Sequence, residues 1–183
     1  MTQVNTDLQY DEAVNKSRNI FLEKTRDYGT SWRVYRTISV ADQIYIKAKR
    51  IRNIQEKGNQ KIDDDITAEF RGILNYAVIG LIQLGIDADP EYAAGEELSV
   101  DETLKFYDAK IAKAKTLMQN KNHDYGEAWR EMSMESFVDL ILAKILRIKQ
   151  IIKNEGKTMM SEGIDANFYD ILNYAVFALI LSD

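Results

Sequence analysis

Two eight-residue cassettes, RDYGTSWR at 26–33 and HDYGEAWR at 123–130, concentrate the reactive side chains of this 183-residue chain. Each keeps Asp-Tyr-Gly, two variable residues, then Trp-Arg. An aromatic face suits stacking on a base, a planar guanidinium offers a fork to phosphate oxygens, and a carboxylate accepts hydrogen bonds. On that chemistry Asp27, Tyr28, Trp32 and Arg33, with Asp124, Tyr125, Trp129 and Arg130, are candidate ligand-binding residues. The competing reading is structural: Gly29 and Gly126 turn the chain, ending one helix and starting the next.

Four cations follow the cassettes. On a helical wheel Lys144 points into an apolar arc containing Phe137, Ile141, Ile145, Ile148 and Ile152, with Arg147 at its edge. Lys47 lies between Ile51 and Ile54 in the same way, with Arg50 at the rim. A cation on a core-facing stripe is costly unless an anion meets it, so Lys47, Arg50, Lys144 and Arg147 mark either an ion pair or an anion pocket. Further on, Asn75 and Asn173 interrupt helices that are otherwise apolar nearly all round. Asp170 stands three residues before Asn173, on the same face; the matching residue in the first copy is Gly72, with Glu69 a turn earlier. The basic positions therefore persist while the acidic ones diverge, and one lopsided site is expected in place of two equal ones. Asp42 and Asp139 each follow a serine by three residues, which suits either a helix-dipole partner or a ligand group. His123 aligns with Arg26 and reads as solvated; the run Asp63-Asp64-Asp65 reads as a helix start.

These residues must be positioned by a duplicated unit. A shift of 97 aligns Lys24 with Lys121, the two cassettes, and Lys47 and Arg50 with Lys144 and Arg147. After one inserted residue EFRGILNYAVIGLI (69–82) matches NFYDILNYAVFALI (167–180). Each copy predicts three helices: 7–26, 40–57 and 66–84, then 101–122, 137–155 and 164–182. Thr6…Gln9 and Ser99…Glu102 fit capping boxes, Ser39 and Ser136 are the expected caps of the second helices, and Gly58 and Gly156 their stops. The predicted architecture is all-α: a helical bundle of two tandem three-helix repeats with internal pseudo-two-fold symmetry and the third helices central. Residues 1–84 form the first repeat, 85–98 a linker carrying Pro90, and 99–183 the second repeat.

An apolar share of 45% with 29% charged residues suits a soluble globular chain. The first residues lack the basic end and apolar core of a signal peptide, no apolar run of about eighteen residues occurs, and there is no cysteine; a cytoplasmic setting without membrane partners is expected. A net charge of −5 argues against broad nucleic-acid coating but leaves room for one local basic pocket. A homodimer is compatible with the sequence.

K-x-x-DYG-x-x-W, the basic second helix and the third helix with L-NYA resemble the nucleotide modification associated domain one family in its duplicated bacterial form. That resemblance implies a nucleotide or nucleoside triphosphate as the partner. A looser likeness is to the MazG-like all-alpha nucleoside triphosphate pyrophosphohydrolases, whose acidic side chains hold Mg²⁺ against a triphosphate. It implies a Mg²⁺-dependent hydrolase with Asp170 and Asp139 as catalytic acids and Asp170, Asn173, Glu69 and Asn75 as oxygen ligands. The two acidic pairs usual in that group are not matched: only Glu162-x-x-Asp165 has the spacing. The alternative is a non-catalytic helical module that binds a nucleotide or a protein.

Overall fold

The computed structural model describes residues 5–58, 66–158 and 162–182. Among them the chain forms six α-helices and two short 3₁₀ turns, with no strand: α1 (Thr6–Tyr28), α2 (Thr37–Lys57), α3 (Ile66–Asp87), α4 (Val100–Tyr125), α5 (Met134–Lys153) and α6 (Ile164–Ser182), with 3₁₀ turns at Ser31–Val34 and Ala128–Glu131. The run Asp63–Asp65 lies outside the described residues.

The third helices are the core because they alone are apolar on every side. α3 and α6 pack along each other most extensively, α2 covers α3, α5 covers α6, and α2 and α5 pack together. Across this layer lie α1 and α4, each touching both central helices and each other. Close approach of α3 and α6 depends on Gly80: a Cβ there would stand 2.8 Å from the Phe168 ring, which has zero exposure. By length and composition α6 would also pass as a bilayer-crossing helix, but here its apolar positions are buried inside the bundle.

The duplication is visible as contacts that come in pairs. Arg18 meets Asp108 at 2.7 Å, and the equivalent Lys115 meets the equivalent Asp11 at 2.8 Å. On the α2/α5 face Lys149 meets Asp42 at 2.7 Å and Arg52 meets Asp139 at 3.2 Å. In the interior the Tyr10 hydroxyl donates to Asn173 Oδ1 at 2.7 Å, and the Tyr107 hydroxyl to Asn75 Oδ1, also at 2.7 Å. Each amide nitrogen turns back to its own repeat, Asn75 Nδ2 to Ser17 O and Asn173 Nδ2 to Ala114 O, both at 3.0 Å. Every asparagine in the pair is thus satisfied half by its own repeat and half by the other. Burial pushes both phenols far above the ordinary tyrosine range, so they stay protonated donors.

The helix starts differ from expectation. Ser99 caps α4 as predicted, its Oγ accepting from Glu102 N at 3.1 Å. For α1 the cap is Asn5, accepting from Leu8 N at 3.0 Å, while the Thr6 hydroxyl is drawn away to Glu127. α2 and α5 begin two to three residues before Ser39 and Ser136; Ser133 caps α5, and α2 follows Arg36 without a side-chain cap. Asp42 and Asp139 consequently lie beyond the first turn, where the helix dipole has faded, and serve as cross-repeat ion-pair partners.

Candidate functional site

A cavity of about 320 Å³ opens in the first repeat, between the C-terminal half of α1, the turn Ser31–Val34, α2 and α3. The cassette helps to build it. Gly29 ends α1 with φ +70, a conformation that side chains rarely adopt, and a Cβ there would collide with the Glu97 carboxylate. The chain then turns so that Trp32 enters the cavity floor, 6% exposed and 6.4 Å from the Phe21 ring. Tyr28, 59% exposed, stands at the mouth.

Three cations border the space: Lys24 from α1, Lys47 from α2 and Arg71 from α3. No Asp or Glu lines it among the described residues. Lys47 Nζ reaches Glu69 Oε2 only at 3.4 Å and lies 5.9 Å from the Tyr76 ring centre. Arg71 Nε is buried without a hydrogen-bond partner among the described residues. Tyr35 and Tyr76 join Tyr28 on the wall. Burial first, then the neighbouring Tyr35 and Tyr28 oxygens, push the Tyr76 phenol up; burial, Asp27 and Tyr35 do the same for Tyr28. Protonated phenols beside ammonium and guanidinium groups make this wall rich in hydrogen-bond donors.

At the matching place the second repeat carries an acid of its own. Asp170, at the position of Gly72, accepts from Lys121 Nζ through one oxygen at 2.7 Å and from Lys144 Nζ through the other at 2.8 Å. Burial opposes its ionisation, but the hydrogen bonds and charges of Lys121 and Lys144 prevail and hold the carboxyl below its usual range. Trp129 is covered by Phe177, stacked at 4.3 Å and 9°, and its Nε1 has no partner. In the first repeat the residue matching Phe177 is the smaller Ile79, which lines the cleft beside Trp32.

Of the expected residues, Tyr28, Trp32, Lys47 and Asn75 converge on the cleft. Arg33 does not: it is 3% exposed and donates to Glu96 O at 2.9 Å, Ala93 O at 3.1 Å and the Gln83 side chain, pinning the interrepeat loop. Arg130 likewise ties its turn to α1, through Thr6 Oγ1 at 2.9 Å and Gln9 Oε1 at 2.7 Å, and lies over the Trp129 ring. Neither guanidinium is offered to a ligand. Arg50 binds Glu69, Arg147 is exposed, and Asp27, Asp124 and Tyr125 are at the surface. Asp139, expected as a catalytic acid, sits apart on the α2/α5 face with Arg52.

The oxygen ligands expected for Mg²⁺ do not gather. Asp170 is clamped by two lysines, Glu69 by Lys47 and Arg50, and the oxygens of Asn75 and Asn173 accept from buried phenols. Among the described residues no three acidic or histidine side chains group as a metal site. As placed, these four side chains do not fit a shared divalent cation.

Lys24, Arg71, Tyr35 and Tyr76 are cleft residues that the motif reading did not select. Arg71 carried a signal: a lone guanidinium on a helix apolar nearly all round. Gln83, buried at 2%, carried the same kind of signal.

Asp170→Asn is expected to lower stability by ~2 kcal/mol, because the amide fits while the Lys144 ammonium, 17% exposed, loses its anion. Lys121, 59% exposed, adds little. Since the folded carboxyl titrates below the unfolded value, its contribution is present above about pH 4 and is lost as pH falls through the depressed value. Chemical unfolding of both forms at pH 7 and near pH 3 checks this: the gap must narrow in acid.

No curated protein and no solved structure matches the chain. The pattern described as nucleotide modification associated domain 1 matches twice, over residues 24–84 and 121–181, beginning in each copy at the paired Lys24 and Lys121 and ending with the central helix. Those two matches take in both cassettes, both basic helices and both central helices, and the chain belongs to the nucleotide modification associated domain 1 family.

Proposed function

We propose that the chain binds a nucleotide in the first-repeat cleft, without turning it over. The observation that carries this is a wall holding Lys24, Lys47 and Arg71 and, among the described residues, no carboxylate, in a chain whose net charge is −5. Its volume of about 320 Å³ falls at the lower end of small-ligand pockets, enough for a phosphate and part of a nucleoside. The phosphate lies at the cations, and the base lies toward the mouth, against Tyr28 with the Trp32 edge beneath. Binding is favoured over Mg²⁺-dependent pyrophosphohydrolysis because Glu69 and Asp170, the carboxylates beside the basic helices, are already paired with protein cations.

Calorimetric titration with deoxynucleoside mono- and triphosphates, and with the unphosphorylated nucleosides, tests the proposal. Nucleotides are expected to bind with EDTA present, more weakly at high salt, and nucleosides at least ~10-fold more weakly. Lys47→Met and Arg71→Met are each expected to cost on the order of 10-fold in affinity, a charge-assisted hydrogen bond's worth. Equal affinity for nucleoside and nucleotide, or pyrophosphate release that requires Mg²⁺, sinks it.

A further inference from the structure

Three of the matched positions at which the two repeats differ bear on charge and room at the cleft: Gly72 against Asp170, Arg71 against Tyr169, and Ile79 against Phe177. All three differences act in one direction. Asp170 supplies an anion and Phe177 stacks on the tryptophan in the second repeat, while in the first Gly72 supplies no acid, Ile79 is smaller than Phe177, and Arg71 adds a cation. Resting on the nucleotide reading above, we infer that the second repeat carries its anion built in as Asp170, and that in the first repeat, where Gly72 brings no acid, Lys24, Lys47 and Arg71 take the terminal phosphate monoester of a ligand instead, one per chain.

The second repeat shows what the paired lysines accept. Lys121 and Lys144 each take one oxygen of a single carboxylate, at 2.7 and 2.8 Å, which balances two cations against one negative charge in a partly buried place. Lys24 and Lys47 are their counterparts, and both line the open cleft. Lys47 is shared at 3.4 Å with Glu69, which Arg50 also holds, and Arg71 brings a further cation whose Nε is buried without a partner among the described residues. A third cation calls for an anion with more charge and more oxygens than a carboxylate. A phosphate monoester offers three terminal oxygens and close to two negative charges; a diester offers one charge and fits less well. Gly72 is what lets Lys47 lie across this place beside the cleft: a Cβ there would meet Lys47 Cε at 2.9 Å and Nζ at 3.1 Å. Those atoms are the far end of a flexible side chain, so a carboxylate placed at Gly72 can push Lys47 aside and pair with it, as Asp170 pairs with Lys144.

Calorimetry on the full chain with inorganic phosphate, thymidine 5′-monophosphate and thymidine 3′,5′-cyclic monophosphate reads the outcome, in wild type and in Gly72→Asp and Gly72→Asn. Free phosphate and monoester are expected to compete for one site per chain, which separates the phosphate clamp from any base contribution. The cyclic diester is expected to bind at least ~10-fold more weakly than the monoester. Gly72→Asp should weaken the monoester by about 30-fold or more while thermal unfolding stays at or above wild type, because the clamp closes on the new carboxylate. Gly72→Asn, equal in bulk but uncharged, should lose less than about 5-fold. Monoester binding that Gly72→Asp leaves unchanged overturns the built-in-anion inference and spares the nucleotide reading. A Gly72→Asn loss as large as that of Gly72→Asp shows that bulk and not charge decides, and also overturns it. Wild type that binds neither phosphate nor nucleotide brings both down.

Discussion

Gln83→Leu is expected to destabilise the chain by about 3–5 kcal/mol, a large part of the ~5–15 kcal/mol that holds a domain folded. Gln83 is 2% exposed and serves as the hub of the first cassette. Its Nε2 lies within hydrogen-bonding distance of Trp32 O at 3.2 Å, Arg33 O at 2.9 Å and Tyr35 O at 3.0 Å, and its carbonyl accepts from the Arg33 guanidinium. Leucine leaves those carbonyls and a 3%-exposed cation short of partners in a place water does not reach. Leucine is close to glutamine in bulk, so the cost comes from lost hydrogen bonds and not from size. Urea unfolding measures the effect. A cost below about 1 kcal/mol would mean that Arg33 finds other acceptors and that the turn does not depend on this amide.

The second large effect concerns the halves. A fragment spanning 99–183 is expected not to fold as a monomer, although it contains a complete repeat. Its central helix would lose the whole α3 face, and Asn173 Oδ1 would lose the Tyr10 hydroxyl that satisfies it at 2.7 Å. The ion pairs Arg18–Asp108, Lys149–Asp42 and Arg52–Asp139 would go as well, though exposed pairs add little each. An exposed apolar helix face of that length either unfolds or pairs with a second copy, since the repeat was built to meet its own likeness. Circular dichroism and sedimentation at low micromolar concentration distinguish the outcomes. A monomer with a cooperative unfolding transition would show that the two repeats are independent units.

Much of this architecture was legible in the residues because it rests on local periodicity. Apolar stripes at helical spacing, capping serine at Ser99 and the repeated ILNYAV segment fix six helices, their order and which two are central. Lys47 and Lys144 were identifiable as needing anions from their wheel positions alone, and each has one, in Glu69 and Asp170. What the chain could not disclose by itself was where long side chains end. Arg33, Arg130 and Asn75 have the chemistry of ligand groups, but hydrogen-bonding partners 32 to 124 positions away in sequence use up their capacity. The same limit hid Arg71, whose role follows from the cavity its neighbours leave. Composition and spacing determine which groups need partners. Only the tertiary packing decides whether the protein supplies them, as it does around Asp170, or sets a cation against a cavity, as it does with Arg71.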